Sequence, residues 1–293
     1  NFKNVEVMNT DQSKSNASAV GEAIENLLVE RNLRGMKSLQ KALSRGYVLR
    51  AAEMMKACSG TVLIGTGFPV LNTFETDGPV GAISLYKAMK ALGNNPVIIC
   101  GAPLSEALKN DYQIHEIQVG EHAGREQEAA DALATLKPDL IISIERPGQA
   151  ADGGYYNMRG ESISPRSACF DTFMRQCDCP TIAIGDGGNE IGMGNVGEAL
   201  RDLDIVPAAT TCDELVVADV SNWGGHGLVA MLSYLMGKDL LEPFDNAACL
   251  TYLSGHGSVD GVTRENTLTE DSLPFEDGEV LIRKLRDIAG FPA

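Results

Sequence analysis

The feature that most constrains the fold is an alternation of short, β-branched apolar runs with segments of helical spacing, which begins at "TVLIGTG". Runs of about four to eight such residues are typical of buried strands. Strands that alternate with helices pair in parallel, because each helix returns the chain to the same edge of the sheet. We therefore predict an α/β fold with a mostly parallel sheet and helices on both faces, a Rossmann-like three-layer arrangement. The predicted strands are Thr61–Ile64, Pro96–Cys100, Ile114–Val119, Leu140–Ile144, Thr181–Ile184 and Leu215–Val220, and helices are predicted near 79–92, 125–136, 166–176, 197–203 and 225–236.

Apolar positions at helical spacing across residues 17–57 predict a helical N-terminal lead-in to this sheet. The 293 residues fit one large domain, so we predict a disordered or linker start at 1–16 and a single α/β domain at 17–293. The chain opens without an initiator methionine or a signal-peptide apolar core, so we expect a fragment or a mature chain cut from something longer. Near the other end, a last helix is predicted at Glu279–Ile288, with Gly290 as its C-cap.

The charge balance argues against two classes of partner. Forty acidic residues against 24 basic ones give a formal charge of −16, which opposes binding to nucleic acid and to anionic membrane surfaces. The basic runs "RNLRG" and "LIRKLRD" are predicted to be solvated helix faces. No run approaches the roughly 20 apolar residues of a membrane span. We expect neither nucleic acid nor membrane as a partner, and we leave a homo-oligomer open.

The seven cysteines are an odd number scattered through apolar surroundings, which favours a reducing compartment over a disulfide framework. Cys177 and Cys179 form a C-x-C pair. Without a second pair, this spacing indicates zinc only weakly.

Four glycine-rich loops follow predicted strands: "GTGFPVLNTFETDGPVG", "ERPGQAADGGYYNMRGES", "GDGGNEIGMGN" and "SNWGGHG". Ligands of parallel α/β sheets bind at the carboxyl ends of the strands, so these loops are expected to form one site. Their carboxylate oxygens are ligands that Mg²⁺, Mn²⁺ and Ca²⁺ accept. The alternatives are a tight turn with solvated carboxylates and, for Asp77, a cap for the helix that Pro79 begins.

Three common catalytic or cofactor motifs are absent: the G-x-x-x-x-G-K-[ST] phosphate loop, the G-x-S-x-G nucleophile elbow and the H-E-x-x-H pair. The stretch "GMGNVG" fits G-x-G-x-x-G, but it begins seven residues past the predicted strand end. We therefore predict no nucleotide cofactor. His226, behind two glycines at an expected helix start, is the histidine predicted to transfer protons, with capping or packing as the alternative.

The motifs "IGTGFPV", "ETDGPVGA", "IERPG", "GGYYNMRG" and "IGDGGNEIGMGNV" together resemble the D-glutamate cyclase family, over about residues 35–293. The resemblance implies conversion of D-glutamate to 5-oxo-D-proline and water, a lyase reaction, in the mitochondrial matrix. It also implies that the chain is the carboxyl-terminal domain of a longer protein, whose amino-terminal domain is a partner. Which of the two domains carries the activity stays open.

Such a reaction needs a base, a metal or acid, and an anchor for the α-carboxylate of a small acidic amino acid. From their loop positions, we expect Asp77, Glu145, Asp186 and Glu190 to divide metal ligation and proton transfer. The metal is expected to be a divalent cation, Mg²⁺ or Mn²⁺, with Ca²⁺ as a further option.

The remaining loop residues are expected to bind substrate. Arg146 or Arg159 would hold the α-carboxylate, because the planar guanidinium donates two parallel hydrogen bonds. The backbone amides of the two glycines that follow Asp186 would stabilise the developing oxyanion. The full predicted substrate-binding set is Asn189, Arg146, Arg159, Gly187, Gly188, Thr66 and Asn222.

Two other functions use the same residues. A divalent-metal-dependent phosphohydrolase would hold two ions with these carboxylates. A non-catalytic ligand-binding module of a longer enzyme would bind an acidic amino acid without converting it. Metal-dependent hydrolysis of an aryl phosphate would favour the first, and tight binding without turnover would favour the second.

Overall fold

The computed structural model describes the backbone of residues 2–292 and the side chains of residues 12–292. Its centre is a six-stranded sheet in which all strands are parallel. Two short antiparallel hairpins, β2–β3 and β9–β10, lie outside this sheet. The strands are β1 Thr61–Thr66, β2 Pro69–Val70, β3 Thr73–Phe74, β4 Asn95–Cys100, β5 Ile114–Glu116, β6 Leu140–Ile144, β7 Thr181–Gly185, β8 Glu214–Val217, β9 Thr269–Glu270 and β10 Leu273–Pro274.

Helices surround the sheet, so the predicted α/β three-layer fold with its helical lead-in is confirmed. Helix α8 packs against α1, α3, α4 and α10, while α6 packs against α7. The helices are α1 Phe2–Leu28, α2 Met36–Leu39, α3 Tyr47–Ala57, α4 Pro79–Ala91, α5 Leu104–Leu108, α6 Arg125–Leu136, α7 Asp171–Gln176, α8 Ser221–Met236, α9 Asn246–Gly255 and α10 Phe275–Ile288. Single 3₁₀ turns lie at Gln40–Ala42, Ser164–Arg166, Met193–Val196 and Ala199–Asp202.

The order of the sheet, β5-β4-β1-β6-β7-β8, fixes where a ligand can bind. The chain adds β4 and β5 on one side of β1 and then returns to place β6 on the other side. The loops that follow β1 and β6 therefore diverge and leave a crevice between them, the usual ligand position in such sheets. In the central strand β6 every residue is buried, as expected for a strand covered on both faces.

A close approach of α4 and α8 brings further loops to this crevice. A Cβ atom at Gly225 of α8 would lie 3.1 Å from the Cα atom of Gly81 in α4. Only glycine at these positions lets the two backbones come so near. The N-terminal ends of both helices therefore meet beside the carboxyl ends of the strands.

Several element bounds differ from the sequence prediction. Residues 197–203 contain the single 3₁₀ turn Ala199–Asp202 instead of an α-helix, and three glycines, Gly192, Gly194 and Gly197, come directly before it. Helix α8 begins at Ser221 and not near 225, so "SNWGGHG" is helical rather than a loop. Gly290 does follow the last helix with a φ of 92° and donates to the Asp287 carbonyl, as predicted for a C-cap.

Helix α1 begins at Phe2, inside the segment predicted as a disordered or linker start, and the division into this start and one domain stays a prediction. All seven cysteines are free thiols. Within residues 2–292, no helix is both long and apolar enough to span a bilayer.

Candidate active site

Six carboxylates converge in the crevice, and all of them are buried. The segment between β3 and α4 supplies two, the residue after β6 one, the loop after β7 two, and the turn between β9 and β10 one. They form three overlapping triads, in each of which one oxygen per residue lies within 4.8 Å of the others. The triads are Glu75–Asp77–Glu145, Asp77–Asp186–Asp271 and Glu145–Asp186–Glu190.

The N-terminus of α8 holds three of these carboxylates in place. Asp77 accepts hydrogen bonds from the backbone amides of Ser221 at 3.3 Å and Asn222 at 2.8 Å. Asp186 also accepts from the Ser221 amide, at 3.1 Å, and the Ser221 hydroxyl donates to Glu145 at 2.5 Å. The first amides of a helix lack helical partners and carry the positive end of its dipole, so they stabilise negative charge here.

The backbone is strained at the centre of the cluster. Glu145 has a φ of 45°, in the left-handed region that side-chain-bearing residues rarely adopt. Gly78 faces it with a φ of 111°, and a Cβ atom there would lie 2.9 Å from Glu145 Cβ and 3.0 Å from Thr66 Oγ1. Strain of this kind persists where surrounding contacts over-determine the conformation, and it concentrates at functional sites.

A single basic side chain lies among the carboxylates. Arg34, between α1 and α2, pairs through Nη2 with Asp271 at 2.6 Å and with Asp186 at 3.3 Å. Its guanidinium also donates to the backbone carbonyl of Asp219. Among the described residues, no other lysine or arginine lies within 4.0 Å of a carboxylate of this cluster. The prediction that "RNLRG" is a solvated face is therefore wrong for Arg34, because these acids draw its side chain inward.

The cluster holds more negative charge than Arg34 balances. Burial raises the pKa of Glu75, Asp77 and Glu145 well above the ordinary carboxyl values, and repulsion from neighbouring carboxylates raises each pKa further. Burial and the charge of Asp186 likewise raise the pKa of Asp271. A buried group of like charges favours any cation that can enter it.

The donor set fits a hard divalent cation. Its side chains offer only oxygen atoms, from several loops, at spacings that one ion can bridge. The structure brings together all four predicted ligands, and Glu75 and Asp271 extend the set. Their assignment as ligands stays a prediction.

A cavity of about 490 Å³ opens onto five of the six carboxylates. Four arginines also line the cavity, together with apolar side chains of the β2–β3 hairpin and of later loops. The lining carboxylates are these five, Glu75, Glu145, Asp186, Glu190 and Asp271, together with the exposed Glu161, and the lining basic residues are Arg34, Arg159, Arg166 and Arg264. The cavity therefore presents both charge signs to a ligand of a few carbon atoms.

The backbone amides predicted to bind an oxyanion already donate hydrogen bonds within their own loop, so this prediction is corrected. The amides of Gly187 and Gly188 each donate at 2.8 Å to the carboxylate of Glu190. The Asp186 amide donates to the same carboxylate at 3.2 Å. Glu190 thus closes its own loop, and these amides are not free to stabilise an oxyanion.

Arg146 also lies elsewhere than predicted. Its side chain is buried and donates to the backbone carbonyls of Thr66, Gly67 and Ala168. It lines a separate cavity of about 200 Å³ and not the acidic one. Burial lowers its pKa. The structure therefore removes Arg146 as an anchor for a substrate in the acidic cavity and leaves Arg159.

Asn222 supports the site without reaching the cavity. Its Oδ1 accepts from the amides of Gly78 at 2.7 Å and Gly81 at 2.9 Å, and its Nδ2 donates to Thr76 at 3.1 Å and Glu270 at 2.9 Å. With every amide position engaged, it cannot bind substrate as predicted. It fixes the start of α4 beside the start of α8 instead.

The three other predicted residues, His226, Asn189 and Thr66, are all buried. His226 is fully buried in α8, with Nδ1 3.0 Å from the Ser84 hydroxyl, and burial lowers its pKa to about 3. It does not line the acidic cavity, which corrects its predicted role in proton transfer. Asn189 is buried and ties the loop after β7 to the Tyr156 carbonyl at 3.0 Å. Thr66 is buried at the end of β1, and its hydroxyl has no hydrogen-bond partner among the described residues.

Residues 24–286 match a family model described as D-glutamate cyclase-like, C-terminal. The human protein named D-glutamate cyclase, mitochondrial, is 34% identical over 222 residues, which cover 65% of this chain and 36% of that protein. The chain thus spans little more than a third of this relative's length. Among solved structures, an exopolyphosphatase-related protein from Bacteroides fragilis aligns at 11% identity with a TM-score of 0.42, over 84% of this chain and 57% of that one.

Proposed function

The chain belongs to the D-glutamate cyclase-like C-terminal family, and we propose that its acidic cavity converts D-glutamate to 5-oxo-D-proline and water. The observation that carries this proposal is the cluster of six buried carboxylates beside a cavity that unpaired arginines also line. The ammonium group of an amino acid suits the first feature, and its carboxylate suits the second. The name of the human relative supports the same reaction.

The reaction fixes what the cavity has to do. A C–N bond forms between the amine nitrogen and the side-chain carboxyl carbon, and one C–O bond of that carboxyl group breaks. The ammonium group loses two protons in all, and the departing oxygen takes up two protons to leave as water. A group that accepts a proton from nitrogen and returns it to oxygen therefore serves both halves of the reaction.

We assign this proton transfer to Glu75. It lines the cavity, and its carboxylate accepts no hydrogen bond from any described side chain or backbone amide. By contrast, Glu190 accepts three backbone amides, and Asp77 accepts two. Glu75 thus has oxygens free to meet the substrate nitrogen.

Glu145, Asp186 and Glu190, supported by Asp77, would hold the divalent cation. When bound, it would supply Lewis-acid polarisation of the substrate's side-chain carboxylate. Arg34 pairs with Asp186 and Asp271, which lowers the repulsion between the cluster and the substrate's carboxylates. Arg159 lines the same cavity and adds a positive charge that attracts the substrate's carboxylates.

The isolated chain provides the test. It is incubated with D-glutamate, with EDTA or with added Mg²⁺ or Mn²⁺, and 5-oxo-D-proline is quantified by chiral chromatography. We expect product that depends on the metal. No product from folded protein under every metal condition would overturn the proposal. Release of phosphate from an aryl phosphate with Mn²⁺ would then identify a phosphohydrolase, and binding of D-glutamate without turnover a ligand-binding module.

The human relative is named as mitochondrial, and the matrix location of this chain stays a prediction. An amino-terminal partner domain and a homo-oligomer also stay predictions.

A further inference from the structure

Three arginines of the acidic cavity have no acidic partner. Arg159, Arg166 and Arg264 line the cavity, and none of them forms an ion pair with a described residue. Six of the ten other arginines form an ion pair: Arg31, Arg34, Arg45, Arg50, Arg175 and Arg286. The unpaired guanidinium groups therefore remain available to an anionic ligand.

Arg264 is the one whose position is most tightly defined. It has a φ of 62°, in the left-handed region that a residue with a side chain rarely adopts. The fully buried Asp260 organises its turn, because Oδ1 accepts the amides of Val262 at 2.8 Å and Thr263 at 3.0 Å. The Arg264 amide donates to the Asp260 carbonyl at 2.8 Å and closes the turn.

The same turn is fastened to the acidic loop. Val259 exchanges backbone hydrogen bonds with Phe74 at 3.0 Å and Thr76 at 2.9 Å. Gly261 lies so close to Glu75 that a Cβ atom there would stand 1.7 Å from Glu75 Oε2. Any other residue at this position would displace the carboxylate or the turn. The backbone of Arg264 is therefore held at a fixed position relative to Glu75.

An acidic amino acid can bind in this cavity only if a positively charged side chain offsets the buried carboxylates. D-glutamate carries two carboxylates and one ammonium group, so the buried carboxylates repel it unless a positive group on another wall attracts it. An arginine fork binds a carboxylate through two parallel hydrogen bonds. Such a contact would hold the α-carboxylate away from the acidic cluster while the amine faces it.

We propose that Arg264 and Arg166 form an oxyanion subsite for the α-carboxylate of a small acidic amino acid. This rests on the proposed function for the identity of the ligand. Arg166 ends the 3₁₀ turn Ser164–Arg166 and lines both the acidic cavity and the 200 Å³ cavity beside it. Arg159 on the neighbouring loop adds charge to the same cavity.

The test measures binding apart from turnover. Arg264→Asn removes the guanidinium group while asparagine tolerates the left-handed backbone. We expect the calorimetric Kd for D-glutamate to rise at least about tenfold, the loss of one contact of about 1.4 kcal/mol, while 4-aminobutyrate, which lacks the α-carboxylate, binds equally to both proteins. Arg264→Lys keeps the charge without the planar fork, so its Kd for D-glutamate should lie between those of the wild type and Arg264→Asn. In steady state, KM should change more than kcat.

Arg283→Ala is the matched control, because Arg283 is an exposed, unpaired arginine on α10 away from the cavity. Unchanged D-glutamate affinity in Arg264→Asn, or an equal loss for 4-aminobutyrate, would overturn the subsite. Failure of the proposed function looks different: the wild type would bind D-glutamate, Arg264→Asn would bind it weakly, and neither would form product. A wild type that binds no D-glutamate would overturn the subsite as stated.

Discussion

The Ser221 hydroxyl donates a hydrogen bond of 2.5 Å to Glu145 Oε2, which links the first residue of α8 to the residue that follows β6. Both residues are buried. The φ of Glu145, 45°, is an unfavourable backbone conformation for a residue with a side chain. Contacts of the side chain therefore have to hold it. The bond thus fixes a carboxylate that two of the three triads share.

Removing this hydroxyl should damage the site without unfolding the protein. We expect Ser221→Ala to lower turnover of D-glutamate at least about tenfold, because a hydrogen bond to a charged group is worth about 1.5–3 kcal/mol. Steady-state assays with saturating Mn²⁺ measure the effect. Ser233→Ala, a buried serine in the same helix that bonds the Val229 carbonyl, should leave turnover unchanged. Equal turnover in the wild type and Ser221→Ala would show that Glu145 needs no such support.

Asp186 belongs to two triads and should affect metal affinity and turnover together. Asp186→Asn keeps the size of the side chain but removes its charge. We expect at least about a tenfold loss of kcat, if one transition-state contact above about 1.4 kcal/mol is lost, and weaker Mn²⁺ binding by calorimetry. Asp178→Asn, in an exposed loop, is the control. Unchanged turnover in Asp186→Asn would exclude this residue from the site.

Glu75→Gln should separate proton transfer from metal binding. If Glu75 carries protons between nitrogen and oxygen, the amide cannot replace it, and kcat should fall about 10²-fold or more. Mn²⁺ affinity should change far less than in Asp186→Asn, because the triad of Glu145, Asp186 and Glu190 remains intact. A variant that loses metal binding and turnover in equal measure would instead make Glu75 a ligand.

The fold was predictable to the level of layers and strand positions, because buried parallel strands leave apolar runs such as Leu140–Ile144. Helix ends were less predictable. "SNWGGHG" contains three glycines, which disfavour helix by propensity, yet tertiary packing against Gly81 of α4 requires small residues there. The start of α8 at Ser221 follows from that packing and from Asp77, neither of which is local in sequence.

The acidic loops were predictable because strand ends in parallel sheets meet at one edge. Arg34 and Asp271 were not, since they reach the cluster from a segment before the sheet and from a hairpin after it. Gly187 and Gly188 show a different limit. Their free amides could be expected from the sequence, but the partner that engages them, Glu190, lies in the same turn and competes for them.

Stability should fall as pH rises from about 6.5 to about 8 in the presence of EDTA, opposite to the usual behaviour of paired carboxylates. Burial raises the pKa of Glu270 to about 7 and that of Asp271 to about 8, while unfolded carboxyls are already ionised near pH 4. In this window the native state therefore holds more protons than the unfolded state, and the free energy of unfolding decreases with pH. His226, whose pKa burial lowers from 6.5 to about 3, acts in the opposite direction mainly below this window.

Thermal unfolding at several pH values measures this dependence. Glu270→Gln removes one of the titrating groups and should flatten the curve. Saturating Mn²⁺ should reverse it, because the ion binds the deprotonated cluster of the native state and its affinity grows as protons leave. If the midpoint temperature of thermal unfolding rises with pH in EDTA, the carboxylates are ionised in the native state without a metal. The charge of Arg34 and the N-terminus of α8 would then be sufficient to hold them.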